Sequence, residues 1–217
     1  MLLSLLFSLL LLIVAYLLGS IPTGYLAGRY LKGIDIREYG SGGTGATNIL
    51  RTLGKKPAIA VLVIDLLKGA IAVFSVKWFY LLFPGEIPAL WQAWLVTIAA
   101  ISAVIGHSKS IWINFSGGKS VATSLGVLLV MNPWVGLGTL GSFLIMMAFS
   151  RIVSLSSITG AIAVNIFMLL LQQPVPYLLF AGLASFYVIL RHKSNIERLL
   201  AGTEPKIGQK LQQEPEV

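Results

Sequence analysis

The chain has 217 residues, 56% of them hydrophobic and only 11% charged, with a net charge of +8 and a mean hydropathy of +0.86. That balance excludes an ordinary soluble domain and describes an integral membrane protein. With no cysteine and two histidines, it excludes disulfides, thiol nucleophiles and cysteine metal sites and leaves little to build any metal centre from, so neither a metal nor a cofactor is expected.

Seven apolar segments follow one another along the chain. The first runs from Leu2 to Leu26; it lacks a basic leader region and an obvious small-residue cleavage site, and so reads as a retained span rather than a signal peptide. A polar connection follows, with Gly40-Ser-Gly-Gly-Thr-Gly-Ala-Thr-Asn48 at its centre. The second segment, Pro57 to Phe83, carries Asp65 and Lys68 three apart on one helix face, the spacing of a structural intramembrane ion pair, and Lys77, which reads as a snorkelling side chain. Leu90 to Ile105 is the third, ending beside His107, and it leads into Ser116-Gly-Gly-Lys-Ser120.

Val121 to Met131, the fourth, is short against the roughly 20 apolar residues that a span requires. It is either a re-entrant piece or, more economically, half of a tight hairpin turning at Asn132-Pro133 into the fifth segment, Pro133 to Phe149. In Arg151-Ile-Val-Ser-Leu-Ser-Ser157 the hydroxyls either cap the next helix or, beside the arginine, bind phosphate. Ser157 to Leu171 and Val175 to Leu190 complete the set, and His192 and Asn195, three apart, stand at the exit of the last.

Orientation follows from the basic residues. Fourteen of the sixteen Lys and Arg fall in the connections between spans one and two, three and four, and five and six, or after span seven. The opposite connections hold one charge between them, Glu86. The positive-inside rule then puts the N-terminus outside and the C-terminus in the cytoplasm, which requires an odd number of spans and agrees with seven. The expected fold is an all-α polytopic membrane protein with one transmembrane domain over residues 1–204 and a disordered cytoplasmic tail over 205–217.

Both glycine-rich segments and both histidines then lie on one basic face, where anionic lipid headgroups or soluble phosphorylated metabolites would be held. Nucleic acid is a poor partner for a chain with no soluble domain. Glycine-rich backbone wraps oxyanions well, and arginine meets phosphate in bidentate fashion. Arg37 and Arg51 flank the first segment, whose Thr47-Asn48 pair is expected to cap a helix; Lys119 supplies a point charge in the second, which lacks the spacing of a nucleotide-binding P-loop. Taken alone, each segment reads about as well as a flexible linker or a snorkelling lysine at a span boundary. An organic-phosphate transporter shares the basic face, but such proteins build a midplane site from repeated halves, and no internal repeat is evident here.

Gly19-Ser-Ile-Pro-Thr-Gly-Tyr25, Asp35-Ile-Arg with Gly40 to Asn48, Gly106-His107 with Phe115 to Thr123, and His192-x-x-Asn195 with Gly202-Thr-Glu204 occur in this order. In these motifs the chain resembles the PlsY family of acyl-phosphate:glycerol-3-phosphate acyltransferases, with Gly43 standing where the family more often has asparagine. The resemblance implies transfer of a fatty acyl group from acyl phosphate to the 1-hydroxyl of sn-glycerol 3-phosphate, giving lysophosphatidate and phosphate, at the cytoplasmic face of a bacterial inner membrane. It implies a peripheral acyl-phosphate synthase as partner. By matching position it places Ser41, Arg51, Lys119, Ser157, His192 and Asn195 around glycerol 3-phosphate or the reacting carbonyl, with Lys119, Ser157, His192 and Asn195 as the catalytic set. Gly42 belongs to the substrate-binding loop, Gly117 and Gly118 admit the phosphate to the backbone, Thr47 and Asn48 meet acyl phosphate, and Glu204 is structural. Acyl phosphate is already activated, so positioning and charge stabilisation carry the chemistry, and the hydroxyl proton goes to His192 or, as favoured, to a substrate phosphate oxygen.

Overall fold

The computed structural model describes residues 1–209. Lys210 and the rest of the expected tail, 210–217, lie outside the described residues. The described chain is helical: α1 (Leu2–Ser20), α2 (Thr23–Lys32), α3 (Ala46–Thr52), α4 (Lys55–Leu82), α5 (Gln92–Ser108), α6 (Val121–Met131), α7 (Pro133–Ser150), α8 (Val153–Leu170), α9 (Val175–Arg191) and α10 (Lys193–Leu200). Five helical units are long and apolar enough to cross a membrane: α1 with α2, α4, α5 with its leading turn, α7 and α8. The pair α9–α10, bent by 61°, passes the same test only when its two helices are taken together, which would make a sixth. α6 has 11 residues and therefore extends only about 17 Å.

The surface is inverted relative to a soluble protein. Leu9, Ile59, Leu67, Phe74, Ile145, Phe149, Leu183 and Phe186 are exposed, whereas Asp65, Lys68, Thr97, His107 and Ser120 are buried. Lipid tails reward outward apolar side chains as well as a core would, so helix association rests on close packing and internal polar contacts. Small residues make that packing possible. A methyl group on Gly19 of α1 would lie 2.2 Å from the Ala103 carbonyl oxygen of α5, and one on Gly126 of α6 would lie 1.9 Å from that of Leu66 on α4. α5 runs through the middle, with Val96, Ala99, Ala100 and Ala103 fully buried against α1, α4 and α9, while α7 packs on α8 and α8 on α9.

The first apolar segment is not one continuous helix to Leu26. It breaks at Ile21–Pro22, because proline cannot donate a backbone hydrogen bond and disfavours the helical conformation in the residue before it; Ile21 takes φ −53°, ψ 114°. A carbonyl left without a donor at membrane depth is costly, and Ile21 O accepts from Thr23 N–H at 3.0 Å and from Lys68 Nζ at 2.7 Å. Lys77 does not snorkel: its Nζ donates to Val130 O and Met131 O at 2.6 and 3.2 Å, capping the C-terminal end of α6. At the turn that follows, Asn132 Oδ1 accepts from the N–H groups of Trp134 and Val135, and Pro133 opens α7, giving the tight hairpin its sequence describes.

α8 begins at Val153, four residues before the apolar segment that marks it in the sequence. Its serines therefore do not cap it: Ser156 and Ser157 hydroxyls donate to Ile152 O and Val153 O one turn back. Past Glu204, Pro205 is buried and the Ile207 N–H donates to Arg151 O at 2.8 Å, which lays the chain against the start of α8.

Candidate active site

The ends of α2, α5, α7 and α9 and the starts of α4, α6 and α8 meet at one end of the bundle, and nearly every residue singled out above lies there. The first glycine segment is a loop closed by Asn48. Gly40 and Gly42 take φ of 60° and 68°, which glycine adopts freely, and a methyl on Gly40 would lie 2.2 Å from Asn48 Oδ1. Asn48 is 2% exposed and spends its whole amide on the loop. Its Oδ1 accepts from Ser41 N–H at 2.9 Å, and its Nδ2 donates to the carbonyl oxygens of Ile36, Tyr39 and Gly43 at 3.1, 3.0 and 2.8 Å. The helix cap expected of Thr47-Asn48 is Gly45 instead, and both residues sit in the first turn of α3.

The loop leaves Ser41 and Gly42 exposed, while Thr47 and Arg51 reach a cleft of about 280 Å³ that Lys55, Val153 and Lys206 also line. Arg51 is partly buried and has no hydrogen-bond or ion-pair partner among the described residues, although burial presses its pKa downward. A half-desolvated guanidinium without an acceptor is poised for an anion.

The second glycine segment lies across the end of α5. Its glycines are required by contact rather than by φ: a methyl on Gly117 would meet His107 O at 2.1 Å, and one on Gly118 would meet His107 Nε2 at 2.2 Å. Arg191 Nη2 donates to Gly117 O and Gly118 O at 3.1 and 3.2 Å, fixing the turn from the side of α9. Lys119 then points at Asn195 and its Nζ donates to Asn195 Oδ1. Burial pushes the Lys119 ammonium down to about 8; the Glu204 carboxylate opposes this, and Arg198, Arg191 and Arg51 add to it.

Behind Lys119 the polar chain continues. Asn195 Nδ2 and Ser154 Oγ donate to Glu204 Oε1 at 2.6 and 2.7 Å, and Arg198 Nε donates to Glu204 Oε2 at 2.7 Å. Burial pushes the Glu204 carboxyl up, but the hydrogen bonds from Asn195, Ser154 and Arg198 together hold it below its ordinary value. Glu204 is thus an anchor at the far end of the cluster. Ser157, one turn beyond Ser154 on α8, is 4% exposed, its hydroxyl directed back to Val153 O.

His192, at the break between α9 and α10, is 3% exposed, with Nδ1 2.7 Å from Val188 O. A carbonyl only accepts, so Nδ1 carries the hydrogen and, in the neutral ring, Nε2 presents a lone pair. Burial, with Lys119 and Arg191 adding like charge against the Val188 hydrogen bond and Glu204, pushes its pKa down to about 4, so the ring is neutral near pH 7.

Sequence reasoning missed the strut between the two glycine segments. Arg37, read as a phosphate ligand, holds Asp35 through Nε to Oδ1 at 2.9 Å and Nη2 to Oδ2 at 2.6 Å, while Nη1 donates to Ile113 O at 3.1 Å and Ser116 Oγ at 2.8 Å. The Arg37 guanidinium holds the Asp35 carboxyl down to about 2. The one available signal was an acid and an arginine two residues apart ahead of the loop.

Residues 9–202 match the family model described as glycerol-3-phosphate acyltransferase. A glycerol-3-phosphate acyltransferase of Crocosphaera subtropica is 65% identical over 210 residues, covering 96% of this chain and 98% of that protein. One of Synechocystis sp. is 60% identical over 217 residues, covering 98% and 96%. Among solved structures, the glycerol 3-phosphate form of PlsY (YgiH), an integral membrane glycerol 3-phosphate acyltransferase, superposes with a TM-score of 0.83 at 39% identity, covering 93% of this chain and 96% of that one. The lysophosphatidic acid form of the same protein gives 0.80, again at 39% identity.

Proposed function

Because the chain belongs to the glycerol-3-phosphate acyltransferase family, we propose that its two glycine segments and the residues between them form a single acyl-transfer site, supplied with acyl phosphate as donor. The chain is a multi-pass membrane enzyme of phospholipid synthesis that transfers an acyl group to glycerol 3-phosphate. The observation that carries the assignment of the site is the convergence of Arg51 from α3, Lys119 from the second glycine segment, and His192 and Asn195 from the start of α10 on one partly buried and strongly cationic corner.

In this reading the phosphate of glycerol 3-phosphate is held by Arg51, Lys119 and Ser41, with Gly42 keeping the loop open at that point. The 1-hydroxyl oxygen attacks the carbonyl carbon of acyl phosphate, the bond from that carbon to the bridging oxygen breaks, and phosphate leaves. Lys119 and neighbouring N–H groups offset the charge that develops, which is where preorganised donors act most strongly. Asn195 and Ser157 set the direction of Lys119 and of the hydroxyl. His192 Nε2 accepts a hydrogen bond from that hydroxyl; a ring with a pKa near 4 is a weak base, so the proton passes to a phosphate oxygen of the substrate. Thr47 faces the acyl phosphate from the Arg51 cleft, and Asn48 acts by holding the loop.

The same reading places the site on the cytoplasmic face, with α1–α2, α4, α5, α6, α7, α8 and α9 as seven spans, the N-terminus outside and a peripheral acyl-phosphate synthase delivering the donor. Three facts support it: fourteen of sixteen basic residues belong to the site end or the tail, α4 and α6 run the same way, with Leu66 beside Gly126 and Lys77 beside Val130, and Lys77 satisfies the carbonyls at the end of α6. The test is incubation of the purified chain in lipid with acyl phosphate and labelled glycerol 3-phosphate. Lysophosphatidate is expected without acyl-CoA or acyl carrier protein; a requirement for either of those donors overturns the assignment of acyl phosphate.

A further inference from the structure

Beneath the second glycine segment lies a charged cluster that the acyl-transfer site does not use. Asp65 and Lys68 on α4 and His107 on α5 are 1%, 4% and 6% exposed. Lys68 Nζ is 2.8 Å from Asp65 Oδ1, Thr23 Oγ1 donates to the same oxygen at 2.5 Å, and His107 Nδ1 stands 3.5 Å from it. Ionisable groups inside a membrane are costly and are kept where something depends on them. Lys68 is accounted for by the Ile21 carbonyl. His107 has no such duty in the helix break.

What His107 does touch is the glycine turn. Gly118 N–H donates to His107 O at 3.3 Å, and the ring edge lies so close to the Gly118 backbone that a methyl there would sit 2.2 Å from Nε2. The next residue is Lys119. Its stem leaves the backbone at the point where the ring supports it.

We propose that His107, packed between Asp65 on α4 and the glycine turn, is a positioning residue for Lys119: it sets the height of the Gly117–Gly118 turn over α5 and thereby where the Lys119 ammonium stands relative to Asn195. The proposal rests on Lys119 serving glycerol 3-phosphate as described above. The order of dependence runs from the His107 ring on α5 to the Gly118 backbone and the Lys119 side chain. Buried side chains in contact transmit such displacements because a packed interior does not deform freely.

The test uses the full chain in lipid vesicles, with glycerol 3-phosphate affinity measured by calorimetry without donor, and kcat and KM measured in parallel. His107→Asn keeps a nitrogen on the Asp65 side and removes the ring edge from Gly118. It is expected to weaken glycerol 3-phosphate binding about tenfold, and by less than about twofold in a Lys119→Gln background, since two changes acting through one group are not additive. Gly118→Ala approaches the contact from the other side. It is expected to lose affinity by a similar factor and to regain most of it when combined with His107→Asn. Wild-type affinity in His107→Asn, an undiminished loss in the Lys119→Gln background, or no recovery in the Gly118→Ala pair each overturns the positioning role. Wild-type affinity in Lys119→Gln instead overturns the assignment of Lys119 itself. If His107→Asn fails to fold, Gly118→Ala combined with His107→Gln decides the matter by the same recovery.

Discussion

Asn195 stands between a cation and an anion: its Oδ1 accepts from Lys119 and its Nδ2 donates to Glu204 Oε1 at 2.6 Å. The amide cannot reverse without setting donor against donor, so Glu204 decides which way Asn195 presents itself to Lys119. Glu204→Gln places an amide nitrogen where three donors converge and leaves at least one of Asn195, Ser154 and Arg198 without its acceptor. A loss of about 1–3 kcal/mol in stability is expected, together with a lower kcat/KM for glycerol 3-phosphate. Thermal unfolding in detergent and steady-state kinetics check both, and an unchanged melting temperature would contradict the anchoring role.

His192→Ala separates binding from proton transfer. With Nδ1 committed to Val188 O and the pKa near 4, the ring contributes an acceptor rather than a strong base. The expected result is a KM for glycerol 3-phosphate raised about tenfold or more, with kcat at saturation reduced far less. Complete loss of turnover at saturating substrate in a folded preparation would instead assign His192 the general-base role.

The alkaline limb of the pH profile is expected to belong to Lys119. Its pKa is pushed down to about 8, so the ammonium is present below that pH and is lost as pH rises through it. A bound phosphate favours the charged form and raises the pKa of the complex. The kcat/KM profile, which reports the free enzyme, is expected to fall near pH 8, and the kcat profile at higher pH. A kcat/KM that stays flat between about pH 7 and 9.5 would show that the charge on Lys119 is not required.

Arg37→Lys tests the strut. One ammonium cannot reproduce a fork that grips Asp35 while reaching Ile113 O and Ser116 Oγ, so one of the two glycine segments is released. The charge is retained and the fold is expected to survive, with kcat/KM for glycerol 3-phosphate lowered about tenfold. Kinetics beside a thermal-shift measurement distinguish this from unfolding; activity within twofold of the parent would remove Arg37 from the site's support.

Helix positions were largely legible in the sequence because apolar length is a local property. The second, fifth and seventh apolar segments end within a residue or two of α4, α7 and α9, and Val121 to Met131 matches α6 at both ends. Legibility failed where one residue's fate depends on a distant partner. Pro22 marks a break, but nothing near it in the chain shows that Lys68 on another helix donates to the Ile21 carbonyl there. Lys77 looked like a side chain reaching for the membrane surface and is a cap for carbonyls 53 and 54 residues away.

The sequence by itself determined that the chain lives in a membrane and that its charge gathers in alternate connections, together with two glycine-rich segments whose composition suits phosphate; each follows from composition and order along the chain. Tertiary structure alone decided which polar groups remain free for a ligand. Asn48 and Arg37 carry the right chemistry for substrate, yet their hydrogen bonds are spent on the loops. Arg51 has the same chemistry and no partner among the described residues. A side chain's capacity is written in its residue type, but its availability depends on which donors and acceptors the fold brings within 3 Å or so, and that is set by the packing of helices far apart in sequence.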